Sequence, residues 1–187
     1  MRSKAICLLG EKSAGKTTML QGLRSGAVSD NPLPTLVYDN QIDSTNHRVY
    51  TELSGDPKSL SLIAQHLKND LFLVCVDLSK PFDVSAVDVY LEQLLTIDVQ
   101  IVFIGCKQDI AHIGAIDELR AYLKKLDLNP DSCLVLTSKN TIEQWRAPLE
   151  EKLNYILNPS IGANISQFFG TQTSSATSPP SNQTISL

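Results

Sequence analysis

Eight consecutive residues, Gly10-Glu11-Lys12-Ser13-Ala14-Gly15-Lys16-Thr17, have the types and spacing of a polyphosphate cradle, GxxxxGK[ST]. They stand between a β-rich run, Lys4–Leu9, and a helical pattern, Thr17–Leu23. Glycines let the backbone wrap so that successive N–H groups face an anion. The start of the helix adds a positive dipole end, Lys16 adds a point charge, and the Thr17 hydroxyl can ligate Mg²⁺. Residues Glu11, Lys12, Ser13, Ala14, Gly15, Lys16, Thr17 and Thr18 are therefore expected to contact nucleotide phosphates.

A second group follows the fifth and sixth β-rich runs: Cys106-Lys107-Gln108-Asp109, then Thr137-Ser138-Lys139. Here the chain resembles the Ras-like small GTPases, whose guanine site is Asn-Lys-x-Asp followed by Ser-Ala-Lys. The resemblance covers about residues 4 to 157. It implies that Asp109 accepts hydrogen bonds from N1–H and the N2 amino group of guanine, a donor pair that adenine lacks. Lys107 would lie along the base, and the Ser138–Lys139 backbone would face the guanine oxygen. Cys106 stands where the family has an asparagine that braces the base, and a thiol is a poor substitute. Weakened but guanine-selective binding is the expectation.

The same resemblance makes Thr35, in Asn31-Pro32-Leu33-Pro34-Thr35, a ligand of Mg²⁺ that also touches the γ-phosphate. It aligns Glu52-Leu53-Ser54-Gly55-Asp56 with the family's Asp-x-x-Gly-Gln. Gly55 can still offer its N–H to the γ-phosphate, and Glu52 can reach a metal-bound water on one extra methylene. Asp56 takes the place of the catalytic glutamine. A carboxylate cannot both donate to the phosphate and accept from the attacking water as an amide does. Lys12 sits where the family often has glycine and would crowd an arginine finger; Lys12 and Asp56 could also pair with each other. Phosphoryl transfer is almost all positioning, so intrinsic GTP hydrolysis is expected to be slow or absent, with Lys16, Thr35 and Gly55 left to serve it.

The elements that must hold these residues alternate along the chain. β-rich runs at Lys4–Leu9, Leu36–Ile42, His47–Leu53, Leu71–Asp77, Val99–Gly105 and Ser132–Thr137 are separated mostly by helical patterns. Helical spacing occurs at Leu60, Ile63, Ala64 and Leu67, and over Val84–Leu95, Ile116–Leu126 and Thr141–Leu157. This alternation predicts an α/β domain: a six-stranded, mostly parallel sheet with helices on both faces, of the P-loop NTPase type. The short link Asp43-Ser44-Thr45-Asn46 cannot hold a crossover, so its flanking strands should form one antiparallel edge hairpin. The domain should span 1–157. Residues 158–187 carry no ionisable side chain, are rich in Ser, Thr and Pro, and read as a disordered tail with Phe168 and Phe169 as its only anchors.

Composition narrows the partners. The 187 residues are 42% hydrophobic and 19% charged with net charge −4, which argues against nucleic acid as the main ligand. Apolar runs are strand-length, and no room is left for a signal peptide before the first strand. The four cysteines are isolated and three lie in apolar runs, as expected for reduced thiols in the cytoplasm. The ending Thr184-Ile185-Ser186-Leu187 offers no prenylation site. His47, His66 and His112 show no metal-ligand spacing. Asp77, Asp83, Asp117, Glu118, Glu150 and Glu151 read as strand-end or helix-surface carboxylates, and Trp145 as core. The resulting expectation is a guanine-nucleotide switch using GTP, GDP and Mg²⁺, with effector proteins recognising the segments around Thr35 and Asp56–Lys68. The alternatives are an interaction module with permanently bound or no nucleotide, and an ATP-using P-loop enzyme.

Overall fold

The central strands are continuous apolar runs whose successive side chains point to opposite faces, so each run feeds two helical layers. A computed structural model of the chain describes residues 2–29, 32, 33, 35–56, 58, 60–63, 68–95 and 99–158. Six strands, β1 (Lys4–Gly10), β2 (Tyr38–Asp43), β3 (Arg48–Leu53), β4 (Leu71–Asp77), β5 (Gln100–Cys106) and β6 (Leu134–Leu136), form one sheet in the order β2-β3-β1-β4-β5-β6. Every neighbouring pair is parallel except β2 with β3. The expected edge hairpin is present: Asp43 Oδ1 accepts the Thr45 and Asn46 N–H groups at 3.1 Å each, an Asx turn that sets the antiparallel register Asp43↔Arg48.

The helices are α1 (Lys16–Ser25), α2 (Leu60–Ile63), α3 (Val84–Leu94), α4 (Ala115–Lys125), α5 (Pro130–Cys133) and α6 (Ile142–Leu157). Ile6 and Leu8 of β1 and Leu71, Leu73 and Cys75 of β4 point to one face, where Met19, Leu20 and Leu23 of α1 meet Trp145, Leu149, Leu153 and Leu157 of α6. The intervening residues Cys7, Leu9, Phe72, Val74 and Val76 face the other side, against Val87 and Leu91 of α3, Leu119 and Leu123 of α4 and Ile63 of α2. α6 runs through Pro148 despite the missing N–H, because its buried stripe continues on both sides of the proline. Asp83 caps α3, and Asp117 and Glu118 occupy the first turn of α4.

Most element ends shift from expectation by one or two residues, and two strands and one role differ more clearly. The run Ser132–Thr137 is not one strand: Asn129 accepts the Asp131 N–H, Pro130 takes a first-turn position, and the chain makes a helical turn before the short β6. The second strand starts at Tyr38 rather than Leu36. Glu150 is no mere surface carboxylate. Arg48, only 2% exposed, donates to Glu150 Oε2 at 2.6 Å, to Asn154 Oδ1 at 2.7 Å and to the Tyr50 hydroxyl at 3.1 Å, clamping α6 to β3. Burial pushes the Tyr50 phenol up to about 12, so it stays neutral. Glu150→Ala would leave a buried guanidinium short of its counter-charge. Because Glu150 is partly solvated and two neutral partners remain, the expected loss is about 2–3 kcal/mol of unfolding free energy, read from urea midpoints.

All four cysteines are free, three of them buried. Among the described residues, no helix is long and apolar enough to cross a membrane. Ala64–Leu67 of the expected second helix, with His66, lie outside the described residues, as do Asn31, Pro34, part of the Asp56–Lys68 segment, and 159–187 with Phe168 and Phe169.

Candidate functional site

β1 and β3–β6 all run in one direction, so their carboxyl ends collect Gly10, Leu53, Asp77, Cys106 and Leu136 along one edge of the sheet. β1 lies between β3 and β4, the place where successive crossovers leave in opposite directions. α1 and α3 lie on opposite faces there, the arrangement in which open α/β sheets take up ligands. The Gly10–Thr17 loop occupies that place.

The loop is built for close approach. Gly15 has φ 102°, and a Cβ on it would sit 3.0 Å from Cys106 Cβ, so glycine alone fits both the conformation and the space. Ser13 also takes a left-handed conformation, φ 63°. Among the described residues, no side chain caps the N-terminus of α1. Its free N–H groups lie beside Lys16, which is only 5% exposed and donates to the carbonyls of Gly10 at 2.8 Å and Glu11 at 2.9 Å. Burial holds the Lys16 pKa below its usual range, against the pull of neighbouring groups that include Glu52. Ala14 is buried, Thr18 half-buried, and Lys12 and Ser13 are exposed. The Glu11 carboxylate turns away to pair with Lys80.

Thr17 Oγ1 donates to Glu52 Oε1 at 2.6 Å. Glu52 is 2% exposed, and its other oxygen, Oε2, has no hydrogen-bond partner among the described residues. A buried carboxylate with one oxygen unsatisfied, next to a hydroxyl, is a donor set suited to a hard divalent cation. Thr17 and Glu52 therefore fit Mg²⁺, with phosphate oxygens and water completing the shell. Thr35 is half-buried, and it makes no hydrogen bond to Thr17 or Glu52.

Gly55 packs onto the Gly10–Thr17 loop. A Cβ there would lie 2.0 Å from the Lys12 nitrogen and 2.2 Å from the Glu11 carbonyl carbon. Both are backbone atoms that cannot swing aside, so Gly55→Ala is expected to destabilise the fold by about 2 kcal/mol or more. A denaturation midpoint equal to the native one would contradict this packing. Asp56 folds back on its own turn, accepting the Lys58 N–H at 2.9 Å, and forms no ion pair with Lys12; that pairing is not made.

Cys106 lies buried under Gly15 with its thiol 3.7 Å from the Ile104 carbonyl. Lys107, in a left-handed conformation with φ 64°, pairs with Asp77 Oδ2 at 2.7 Å. Burial opposes ionisation of Asp77, but the bonds from Lys107 and Ser79 outweigh it and hold its carboxyl below the usual range. The Gln108 N–H donates to the Thr137 carbonyl at 3.0 Å, and Asp109 Oδ2 accepts from Asn140 Nδ2. The two segments 106–109 and 137–140 thus form one surface, with Ser138 buried and Lys139 exposed. Asp77, Lys80 and Asn140 were missed as site residues. Asp77 and Lys80 follow the fourth run at the same sheet edge, a position that could have flagged them.

Compared with protein-family models and with curated proteins, the chain matches none.

Proposed function

We propose that this chain is a guanine-nucleotide-binding switch of the P-loop NTPase type, similar to the Ras-like small GTPases, in which GTP hydrolysis is slow or absent. The observation that carries the reading is the trio Lys16, Thr17 and Glu52: a buried ammonium, an uncapped helix start and a half-satisfied buried carboxylate within one loop's reach. Lys16 and the first N–H groups of α1 suit a polyphosphate. Thr17 and Glu52 suit the Mg²⁺ that accompanies it; when bound, that ion neutralises phosphate charge.

Guanine selectivity rests on Asp109. Its carboxylate is exposed at the same sheet edge, beside Lys107 and the Ser138–Lys139 backbone, and guanine presents two adjacent donors to such a group. Slow turnover follows from Asp56, which brings an anion and no amide to the place where water must be oriented. Partner proteins would meet the surface around Thr35: Leu33 and Leu36 are each 85% exposed, and Val37 and Ile42 are also exposed, before and within β2, the outermost strand among the described residues.

Denaturing the purified chain and separating released nucleotides tests the reading. Guanine nucleotide is the expected result, and added GTP with Mg²⁺ should persist. Adenine nucleotide would overturn the role of Asp109; an empty site that GDP does not fill would point to an interaction module. Asp56→Gln should raise the rate of phosphate release, and an unchanged rate with GTP bound would refute the account of slow turnover.

A further inference from the structure

Asp109 stands on an exposed turn, yet its carboxylate is not left to rotate. Asn140 Nδ2 donates to Asp109 Oδ2 from the neighbouring loop. Asn140 is itself fixed, because its backbone N–H donates to Ser138 Oγ at 3.1 Å. Ser138 is anchored in turn: its carbonyl accepts the indole N–H of Trp145 at 2.7 Å, and Trp145 lies in the core of α6. A line of hydrogen bonds thus runs from a buried tryptophan to the outermost carboxylate of the site. Among the described residues, neither Cys106 nor Lys107 holds this carboxylate from the other side. Cys106 is buried with its thiol toward Ile104, and Lys107 is engaged by Asp77.

We propose that Asn140 is a positioning residue that sets the plane of the Asp109 carboxylate for two-point recognition of a guanine base. This rests on the guanine reading above. Each carboxylate oxygen has two lone pairs. Asn140 takes one on Oδ2, which leaves the second on Oδ2 and those on Oδ1 for the N2 amino group and N1–H of the base. Without Asn140 the carboxylate turns about its last bond, and the pair of bonds must be bought with lost rotational freedom. The contact to N2 suffers most, because a turned carboxylate can still reach N1–H with one oxygen.

Equilibrium binding of GDP and of inosine diphosphate, which lacks only the N2 amino group, tests this on the full chain with Mg²⁺. The native chain is expected to prefer GDP by about tenfold or more, the worth of one charged hydrogen bond. Asn140→Ala should bring that preference down to roughly threefold or less, mainly by weakening GDP. Asn140→Asp, of equal shape but with no donor and a repelling charge, should lower it at least as far. Asn140 is exposed, so melting temperatures should stay at the native value. A variant that keeps the native GDP preference overturns the proposal, and so does an equal loss for both nucleotides, which marks a general loop effect. A native chain that binds neither nucleotide overturns the guanine reading itself and this inference with it; that failure is seen before any variant is made.

Discussion

Lys16→Ala is expected to weaken binding of GDP and GTP by about 100-fold or more while leaving the chain folded. The ammonium is nearly sealed from solvent, bonded among the described residues to two carbonyls, and its pKa is held down by that burial. A polyphosphate arriving at the α1 N-terminus supplies a counter-charge in direct contact, which Lys16 does not have among the described residues. Hydrogen bonds to charged groups contribute about 1.5–3 kcal/mol each, and 1.4 kcal/mol is a factor of ten, so two such bonds give roughly the stated loss. Stability should change little, because removing a poorly paired buried charge offsets the loss of bonds to Gly10 and Glu11. Lys16→Met keeps the packing of the stem without the charge and should lose affinity to the same extent. Titration with a fluorescent guanine nucleotide reads both variants. In the native chain, nucleotide at 100 times its dissociation constant should add about 2.7 kcal/mol to unfolding, a gain the variants would not show at that concentration. Undiminished affinity in Lys16→Met would remove the basis of the functional reading.

Asp109→Asn is expected to reverse the choice of base. A carboxylate offers two acceptors, which match the N1–H and N2 donors of guanine. An amide offers one acceptor and one donor, which match N1–H and the C2 carbonyl of xanthine. GDP affinity should fall by about 100-fold, since one bond is lost and two amino groups are forced together, while xanthosine diphosphate should bind more tightly than to the native chain. Asn140 can still donate to the oxygen of the new amide, so the loops should stay joined. Competition between the two diphosphates on the native and variant chains reads the reversal. If both chains rank them alike, Asp109 does not read the base.

How much of this was legible before folding follows from the range of each interaction. The hairpin turn at Asp43–Asn46, the helix that follows the Gly10–Thr17 loop and the buried phases of α3, α4 and α6 depend on residues a few positions apart, and their periods are written in the chain. The helical turn at Pro130–Cys133 was also local, signalled by Asn129-Pro130, but the apolar residues behind it read as strand. Glu150 went astray for a different reason. Its partner Arg48 is 102 positions away, and nothing near either residue distinguishes a clamp from a solvated helix face.

The order of side-chain types fixed the strands, the helices, the turn chemistry and the loop at Gly10–Thr17, because backbone preferences and apolar periodicity act over one or two turns. Only the packed sheet brought Glu52 to Thr17, Gly55 to the Glu11–Lys12 peptide, and Asn140 to Asp109. Those pairs meet because β3 lies beside β1 and β6 beside β5, and strand order is settled by how helices cover two faces at once. That choice belongs to the whole core, so no local run of residues records it.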